Sequence, residues 1–260
     1  MQLTVLGYYG GYPYAGVGTS SYLLTSGAYH LLLDCGSGAL LALEKQFDPL
    51  QLDVVLLTHY HHDHIADVGV LQYYWQLHQG TKKEPILPIY GHLQDPLHFG
   101  SLTQPGVTQG FGYQEDTELT LGPLKVTFKR TVHPVPAFAV RIEEQTTGQV
   151  LVFTADTAYF PELAAFCQSA DLLMTDTNFL EDRTGKMAHM TTTQSGNLAQ
   201  ESGAAKILLT HLPQGVSAET LQAQAQATVG DVPVIVAQQD LTIDVGACNI
   251  AALMELTKNK

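Results

Sequence analysis

The order of apolar and polar residues along the chain predicts two kinds of element in alternation. Short runs rich in β-branched and aromatic residues are typical of buried strands, and apolar positions that recur with a helical period predict helices. Strands are expected over 2–7, 20–25, 29–34, 52–58, 86–90, 107–113, 124–132, 137–143, 149–155, 171–175, 206–210, 233–237 and 240–245. Helices are expected over 38–46, 64–79, 160–168, 192–202 and 217–228. This mixture predicts an α/β protein.

Local signals mark the ends of the predicted helices. Gly80 and Gly203 stand where the second and fourth helices should stop, because glycine readily takes the left-handed conformation that ends a helix. Thr191 and Gln194 have the spacing of a capping box, in which each side chain bonds to the other residue's backbone. We therefore expect the fourth helix to begin directly after Thr191.

The tetrapeptide Leu-Leu-Thr-His occurs twice, at 56–59 and at 208–211. Each copy ends an apolar strand and precedes a helical pattern, and no Pro/Gly/Ser-rich linker separates the two regions. We interpret 1–260 as a single domain built from two similar halves. Their sheets would pack face to face with helices outside, which is a four-layer αββα sandwich.

Charge narrows the classes of partner. The chain has 12 basic and 25 acidic residues, for a net charge of −13. A surface this acidic argues against broad binding to a phosphate backbone, which needs clustered Lys and Arg. The negative charge does not exclude a small anionic substrate that binds at a local positive centre.

The start of the chain and its cysteines point to the cytoplasm. The first residues, MQLTVLGYYGG, have neither the basic segment nor the long apolar segment of a signal peptide, and no apolar run reaches the roughly 18 residues of a membrane span. Cys35, Cys167 and Cys248 are widely spaced and form no Cys-x-x-Cys pair. We expect them to be buried thiols in a reducing compartment.

The stretch LLTHYHHDH, 56–64, has the strongest chemical signal. His59, His61, Asp63 and His64 read H-x-H-x-D-H, and zinc, manganese and iron accept imidazole and carboxylate ligands. In a turn after a strand, the first two histidines can converge on one ion, while Asp63 and His64 point to a neighbouring position. So many ligands in one loop exceed the needs of one tetrahedral ion, so two ions are expected. His62 is the expected non-ligand.

Further candidate ligands follow apolar strands downstream. The segment LKVTFKRTVHP contains His133, VLVFTAD ends in Asp156, and KILLTH ends in His211. The ends of strands are where a rigid scaffold presents reactive groups. We expect these three side chains to join the H-x-H-x-D-H cluster.

The loop GYYGGYPYAGVG, 7–18, joins two predicted strands, so it is not a dinucleotide-binding fingerprint, which leads into a helix. It is either a flexible hairpin loop or a flap whose tyrosines cover the metal site or stack on a base. Those tyrosines are Tyr8, Tyr9, Tyr12 and Tyr14. The segment QYYWQLH, 72–78, is expected to pack as a helix face, with a dimer interface as the alternative.

These motifs together resemble those of the metallo-β-lactamase-fold hydrolases. LLLDCGSG, 31–38, resembles the first family motif, with Asp34 in the aspartate position, and THYHHDH, 58–64, resembles the second. The resemblance implies one ion held by His59, His61 and His133, and a second held by Asp63, His64 and His211. Asp156 would bridge both ions, with a water or hydroxide between them. The implied fold is the same αββα sandwich.

The segment 185–212 resembles the ribonuclease Z-like phosphodiesterases, with His189 in the position of their motif histidine and Asp176 near a usually acidic position. The resemblance implies that His189 acts on the leaving group or the transition-state charge. Free N–H groups at the start of the next helix would favour a phosphate oxygen. Asp63 would also orient or deprotonate the attacking water, so we name Asp63 and His189 as the catalytic candidates.

One departure from ribonuclease Z matters for the substrate. His133 and Asp156 are only 23 positions apart, and two predicted strands fill most of the interval, so there is no room for a tRNA-binding arm. We expect a dinuclear hydrolase, a phosphodiesterase on a small substrate, cyclic phosphodiesters included, with zinc foremost and manganese or iron as alternatives. A ribonuclease Z-type endonuclease, a thioester or lactone hydrolase and a metal-dependent sensor remain open. The family also implies a homodimer.

Overall fold

Two mixed sheets form the centre of the protein, and the computed structural model describes residues 1–246. The strands of the first sheet are β1 (Gln2–Tyr9), β2 (Gly18–Thr19), β3 (Ser21–Ser26), β4 (Tyr29–Leu33), β5 (Val54–Leu56), β6 (Leu87–His92), β7 (Thr108–Tyr113) and β15 (Thr242–Asp244). Their order is β15-β1-β3-β4-β5-β6-β7, and β2 pairs with β1.

The strands of the second sheet are β8 (Glu118–Leu121), β9 (Leu124–Arg130), β10 (Phe138–Glu144), β11 (Val150–Phe153), β12 (Leu172–Asp176), β13 (Ile207–Thr210) and β14 (Val234–Val236). Their order is β14-β13-β12-β11-β10-β9-β8. Each sheet contains a run of four parallel strands, β4 to β7 in the first and β11 to β14 in the second. This shared plan agrees with two similar halves.

The helices are α1 (Ala39–Gln46), α2 (His62–Ile65), α3 (Val68–Leu77), α4 (Pro96–Ser101), α5 (Glu162–Phe166), α6 (Thr192–Ser202) and α7 (Ala218–Gln226), with a 3₁₀ turn at Pro49–Gln51. Helices α1 and α3 pack on the outer face of the first sheet, and α6 and α7 contact β12 to β14 of the second. The predicted four-layer αββα sandwich is therefore confirmed.

The strand β4 shows why apolar runs predicted the strands so well. Leu31 and Leu33 are buried in the core between the two sheets, whereas Leu32 is buried against the helices outside. A strand covered on both faces has no solvent side, so its sequence is continuously apolar rather than alternating. The same pattern covers β11 and β13, in which every residue is buried.

Several predicted boundaries were wrong. The helix expected over 64–79 is two helices, α2 and α3, because Asp67 at their junction bonds to other segments: its N–H donates to the Cys35 carbonyl, and its carboxylate accepts from the N–H of Leu40. Gly80 does not end this helix, since the chain is already extended at His78. The sequence analysis also missed β2, which has only two residues, and β8 and α4, which are short and largely exposed or half-buried.

Other local predictions are confirmed. Gly203 ends α6 in the left-handed conformation, with φ of 65°, and both hydrogen bonds of the Thr191–Gln194 capping box are present. Trp75 is fully buried, so QYYWQLH does pack as a helix face, although Tyr73 is exposed. Cys35 and Cys167 are buried free thiols, whereas Cys248 lies outside the described residues.

No helix within residues 1–246 is both long enough and apolar enough to cross a membrane. The prediction of one domain over 1–260 includes residues 247–260, which lie outside the described part of the chain, and stays a prediction.

Candidate metal centre

All seven predicted ligand residues meet where parallel strands of the two sheets end. They form two groups in which one ligand atom from each residue lies within 4.8 Å of the others. The first group is His59, His61, His133 and Asp156, and the second is Asp63, His64, Asp156 and His211. Asp156 therefore belongs to both groups, and a third possible group joins Asp156 and His211 to Asp176 and His189. His62 is exposed and belongs to neither.

Unpartnered polar atoms in the middle of these groups fit bound cations. His59 Nε2, His64 Nε2 and Asp156 Oδ1 are buried and have no hydrogen-bond partner among residues 1–246. His64 Nε2 and Asp156 Oδ1 lie 3.2 Å apart but are not aligned for a hydrogen bond. Leaving such atoms unpaired is costly, and divalent ions would satisfy a set of imidazole nitrogens and a carboxylate oxygen.

Asp34 holds in place the loop that carries the four predicted ligands of 59–64. It follows β4 and is fully buried, and its carboxylate accepts hydrogen bonds from the N–H and the hydroxyl of Thr58, at 2.8 and 3.0 Å. His64 Nδ1 lies 2.7 Å from the same carboxylate. This contact leaves Nε2 of His64 for the centre, which is how outer carboxylates commonly orient metal-binding histidines.

The ligands of the second sheet are presented by unusual backbone. His211 directly follows β13 with φ of 53°, and Ala155, immediately before Asp156, has φ of 51°. Non-glycine residues rarely take positive φ, and such conformations persist only where the surrounding structure holds them in place. Here they turn the chain sharply at the strand ends, so that both ligands reach the centre.

Asp176, at the end of β12, joins a predicted ligand to the predicted catalytic histidine. Its Oδ1 lies 3.2 Å from His211 Nδ1, and its Oδ2 lies 2.8 Å from His189 Nδ1. Oδ2 also accepts from the N–H of Thr157. His189 is beside the centre, with its ring centroid 5.1 Å from that of His211 and 5.3 Å from that of His133.

One expectation about phosphate binding was wrong. The start of α6 does not present a set of free N–H groups, because the N–H of Thr191 donates to Gln194 and that of Gln194 donates to the Thr191 hydroxyl. The N–H of Thr192 donates to the Phe179 carbonyl. The hydrogen bonds at the start of the helix therefore occupy N–H groups that could otherwise bind an anion.

Burial lowers the pKa values of the site histidines, whereas neighbouring carboxylates raise them. Burial holds the pKa of His59 well below its usual range, and it also lowers the pKa of His61 and of His133. Burial would lower the pKa of His211 too, but Asp156 and Asp176 outweigh it and raise this pKa to about 10. Because metal ligands must be neutral imidazoles, binding a cation beside His211 would release a proton.

Asp63 is held by contacts that the sequence did not predict. The N–H of Gly11 donates to Asp63 Oδ2 at 2.7 Å, and His211 Nε2 lies 3.1 Å from the same oxygen. Burial raises the pKa of Asp63, but His211 and His64 outweigh that effect and keep it well below its usual range. The loop 7–18 therefore reaches the centre through its backbone, and Asp63 is a carboxylate.

Gly10 of this loop is needed for close packing. A Cβ at Gly10 would lie 2.6 Å from Cε1 of His211 and 2.3 Å from Nδ2 of Asn178. Gln214 also holds the loop, since its side-chain amide donates to the carbonyls of Gly10 and Tyr12. A glycine pair directly after a strand was the one sequence signal for this approach. Tyr12 and Tyr14 remain exposed.

Comparison with known proteins agrees with this geometry. Residues 29–212, which include every predicted ligand and His189, match the family model of the beta-lactamase superfamily domain. The chain is 44% identical over 228 residues to the probable metallo-hydrolase YhfI of Bacillus subtilis, covering 87% of this chain and 93% of that protein. The crystal structure of YhfI superposes with a TM-score of 0.88 at 40% identity, covering 93% of this chain and 98% of that chain.

More distant solved structures share the fold. The short form of human tRNase Z has a TM-score of 0.72 at 20% identity, covering 94% of this chain and 99% of that chain. A diphosphatase from the PhnP family has a TM-score of 0.70 at 16% identity, covering 94% and 97%. The match to the family model and the identity to YhfI establish that the chain belongs to the metallo-hydrolases of the beta-lactamase superfamily, as its motifs predicted.

Proposed function

We propose that the protein is a dinuclear metal-dependent phosphodiesterase that acts on a small phosphodiester, cyclic substrates included. The observation that carries this proposal is the position of Asp156, which is shared by two ligand groups and has a buried oxygen without a hydrogen-bond partner. A single carboxylate between two sets of histidines suits a pair of cations better than one.

The first ion would be held by His59, His61 and His133, and the second by Asp63, His64 and His211, with Asp156 common to both. When bound, two divalent ions supply a Lewis acid for the phosphoryl oxygens and lower the pKa of a water molecule from about 16 towards 7. The nitrogen and oxygen ligands suit zinc foremost, with manganese or iron as alternatives.

Asp63 and His189 would provide the proton transfers. Asp63 is held as a carboxylate by the N–H of Gly11 and by His211, so it can accept a hydrogen bond from the attacking water and orient it. Although burial lowers the pKa of His189, Asp176 outweighs it and raises the pKa, which favours the protonated imidazolium. With Nδ1 engaged by Asp176, Nε2 would protonate the leaving alkoxide.

A small substrate is favoured over tRNA. The interval between His133 and Asp156 is occupied mainly by β10 (Phe138–Glu144) and β11 (Val150–Phe153), which pair as a tight hairpin, so no arm protrudes there. The net charge of −13 also disfavours a long phosphate backbone. A ribonuclease Z-type activity is therefore the weaker alternative, despite the shared fold.

Thioester or lactone hydrolysis is the second alternative, because the same pair of ions would serve it. The Asp176–His189 pair favours phosphodiesters with poor leaving groups, since an alkoxide needs a proton as it departs. A thiolate leaves without this assistance. The leaving group therefore separates the two hypotheses.

The test compares His189→Ala with the wild type on two substrates, an alkyl cyclic phosphate and bis(p-nitrophenyl) phosphate, after loading with zinc or manganese. We expect the variant to lose about 1,000-fold in kcat on the alkyl substrate and far less on the nitrophenyl ester, whose leaving group needs no proton. His98→Ala is the matched control, because His98 pairs with Asp95 on α4 and lies outside both ligand groups. No hydrolysis by the wild type with any of the metals, or equal losses on both substrates, would refute the proposal.

The homodimer stays a prediction. Its most suitable surface is the apolar side of α1 (Ala39–Gln46) and α3 (Val68–Leu77), where Leu41, Tyr73 and Leu77 are exposed. Sedimentation of the wild type and of Tyr73→Glu would test it: the prediction requires a dimer that the substitution dissociates.

A further inference from the structure

The turn that carries His133 lacks much of its own hydrogen bonding. It joins β9 (Leu124–Arg130) to β10 (Phe138–Glu144), and the N–H of Thr131 donates to the Ala137 carbonyl where the two strands meet. Pro134 and Pro136 lie within the turn and have no N–H to donate. The turn therefore contains carbonyl groups that its own backbone cannot satisfy.

Arg130 supplies donors to three carbonyls of this turn, one of which, that of Ala137, also accepts from the N–H of Thr131. Its Nη1 lies 3.4 Å from the carbonyl oxygen of Thr131, 3.3 Å from that of Val135 and 3.0 Å from that of Ala137. The guanidinium also lies over the ring of Phe138, 5.5 Å from its centroid. One charged group thus ties both ends of the turn together, through hydrogen bonds that are stronger than those of a neutral donor.

No carboxylate competes for this guanidinium at close range. Within residues 1–246, Arg130 has no carboxylate oxygen within 4.0 Å, in contrast to Lys125 and Lys129 of the same strand, which pair with Glu118 and Glu115. Its described polar contacts are therefore the carbonyls of the His133 turn.

We propose that Arg130 is a positioning residue for His133 and thereby sets the affinity of the ion held by His59, His61 and His133. This inference rests on the two-ion site of the proposed function. His59 and His61 come from the loop after β5, which Asp34 holds through Thr58, and Arg130 has no described hydrogen bond to that loop. His133 is the one ligand of that ion whose place depends on the turn.

The second ion should be independent of Arg130. Three of its ligands have supports outside the turn: Asp63 accepts from the N–H of Gly11, His64 contacts Asp34, and His211 contacts Asp176. Asp156 is common to both ions, and its backbone carbonyl accepts from the Thr131 hydroxyl of the turn. Loss of Arg130 should consequently affect one ion and spare the other, which a general loss of stability would not do.

Two variants separate geometry from charge. Arg130→Met keeps an unbranched side chain over Phe138 but removes all five N–H donors. Arg130→Lys keeps the charge, but its ammonium cannot reproduce the planar guanidinium fork. Arg141→Met is the matched control, because Arg141 on β10 also donates to carbonyls, those of Phe166 and Gln168, which lie outside the His133 turn.

The experiment measures zinc affinity on the full chain by competition with a chromophoric chelator. We expect two ions in the wild type and in Arg141→Met. In Arg130→Met one ion should bind about 10- to 100-fold more weakly and the other unchanged, with a smaller loss in Arg130→Lys. In a His133→Ala background, Arg130→Met should have no further effect on zinc binding.

The outcomes distinguish the two proposals. Wild-type affinity for both ions in Arg130→Met, or equal weakening of both, would overturn the role of Arg130 while leaving the two-ion site intact. If Arg130→Met does not fold, unchanged affinities in Arg130→Lys would overturn it. A wild type that binds fewer than two ions would instead contradict the proposed function, and the role of Arg130 with it.

Discussion

Two fully buried aspartates outside the predicted ligand set occupy comparable places in the two halves of the molecule. Asp34 follows β4 of the first sheet, and Asp176 ends β12 of the second. Each contacts the Nδ1 atom of a predicted metal ligand, His64 for the first and His211 for the second. In this contact the two halves are alike, because in each a carboxylate orients an imidazole towards the centre.

Their remaining contacts differ. Asp34 accepts hydrogen bonds from Thr58 and Ser20, all of them buried, so it binds the loop of the first four ligands to the sheet. Asp176 uses its second oxygen for His189, which is partly exposed beside the centre. The two aspartates therefore have different contacts: Asp34 holds the loop of four predicted ligands, and Asp176 joins a predicted ligand to the predicted proton donor, His189.

The largest effect on stability should come from Asp34→Asn. An amide would place an N–H₂ group against donors that now meet a carboxylate, so we expect the free energy of unfolding to fall by about 3 kcal/mol. Urea denaturation of the metal-free proteins measures this loss. An equal loss in Asp176→Asn would contradict the distinction between the two aspartates.

Asp176→Asn should act mainly on turnover. The amide cannot stabilise a charged His189, so kcat on an alkyl phosphodiester should fall about 100-fold, with a loss of stability of about 1 kcal/mol. Steady-state kinetics at matched metal content measure the change. If turnover stays within a few-fold of the wild type, Asp176 does not support a catalytic histidine.

His92, in the first half, provides a contrast: a buried histidine whose ring nitrogens have no hydrogen-bonded carboxylate. Burial, assisted by the charge of Arg130 and opposed by Asp95, lowers its pKa to about 4. The unfolded chain takes up this proton near pH 6.5, so stability is complete above that pH and declines as the pH falls towards 4.

The titration of His92 should make the free energy of unfolding about 2 kcal/mol lower at pH 5 than at pH 7.5. His92→Asn is the matched variant, because its side-chain oxygen can still accept from the N–H of Gln94, as His92 Nδ1 does, but it does not titrate. Urea denaturation of both proteins between pH 5 and 7.5 measures the slope. Parallel curves would show that His92 does not contribute.

The sequence predicted what depends on neighbours along the chain. Continuous apolar runs identified strands buried on both faces, such as β4, and the spacing of His59 to His64 predicted four of the residues that meet at the centre. The metal-site role of His133, Asp156 and His211 came from their places after strands and from family resemblance.

Contacts between distant segments could not be predicted in this way. The hydrogen bond from the N–H of Gly11 to Asp63 depends on tertiary packing that no local pattern encodes. The division of the helix expected over 64–79 has the same origin, since Asp67 bonds to Leu40 and Cys35, which are 27 and 32 positions away in the chain. The start of α6 was predicted correctly, but the expectation that its free N–H groups would bind a phosphate was wrong. The capping box itself uses these N–H groups.

The central claim is that two cations share Asp156 in one site, and metal content tests it most directly. The wild-type chain should be loaded with zinc, freed of loosely bound metal by gel filtration, and analysed by elemental mass spectrometry against protein concentration. The account predicts two ions per chain. A value of one or none would contradict it.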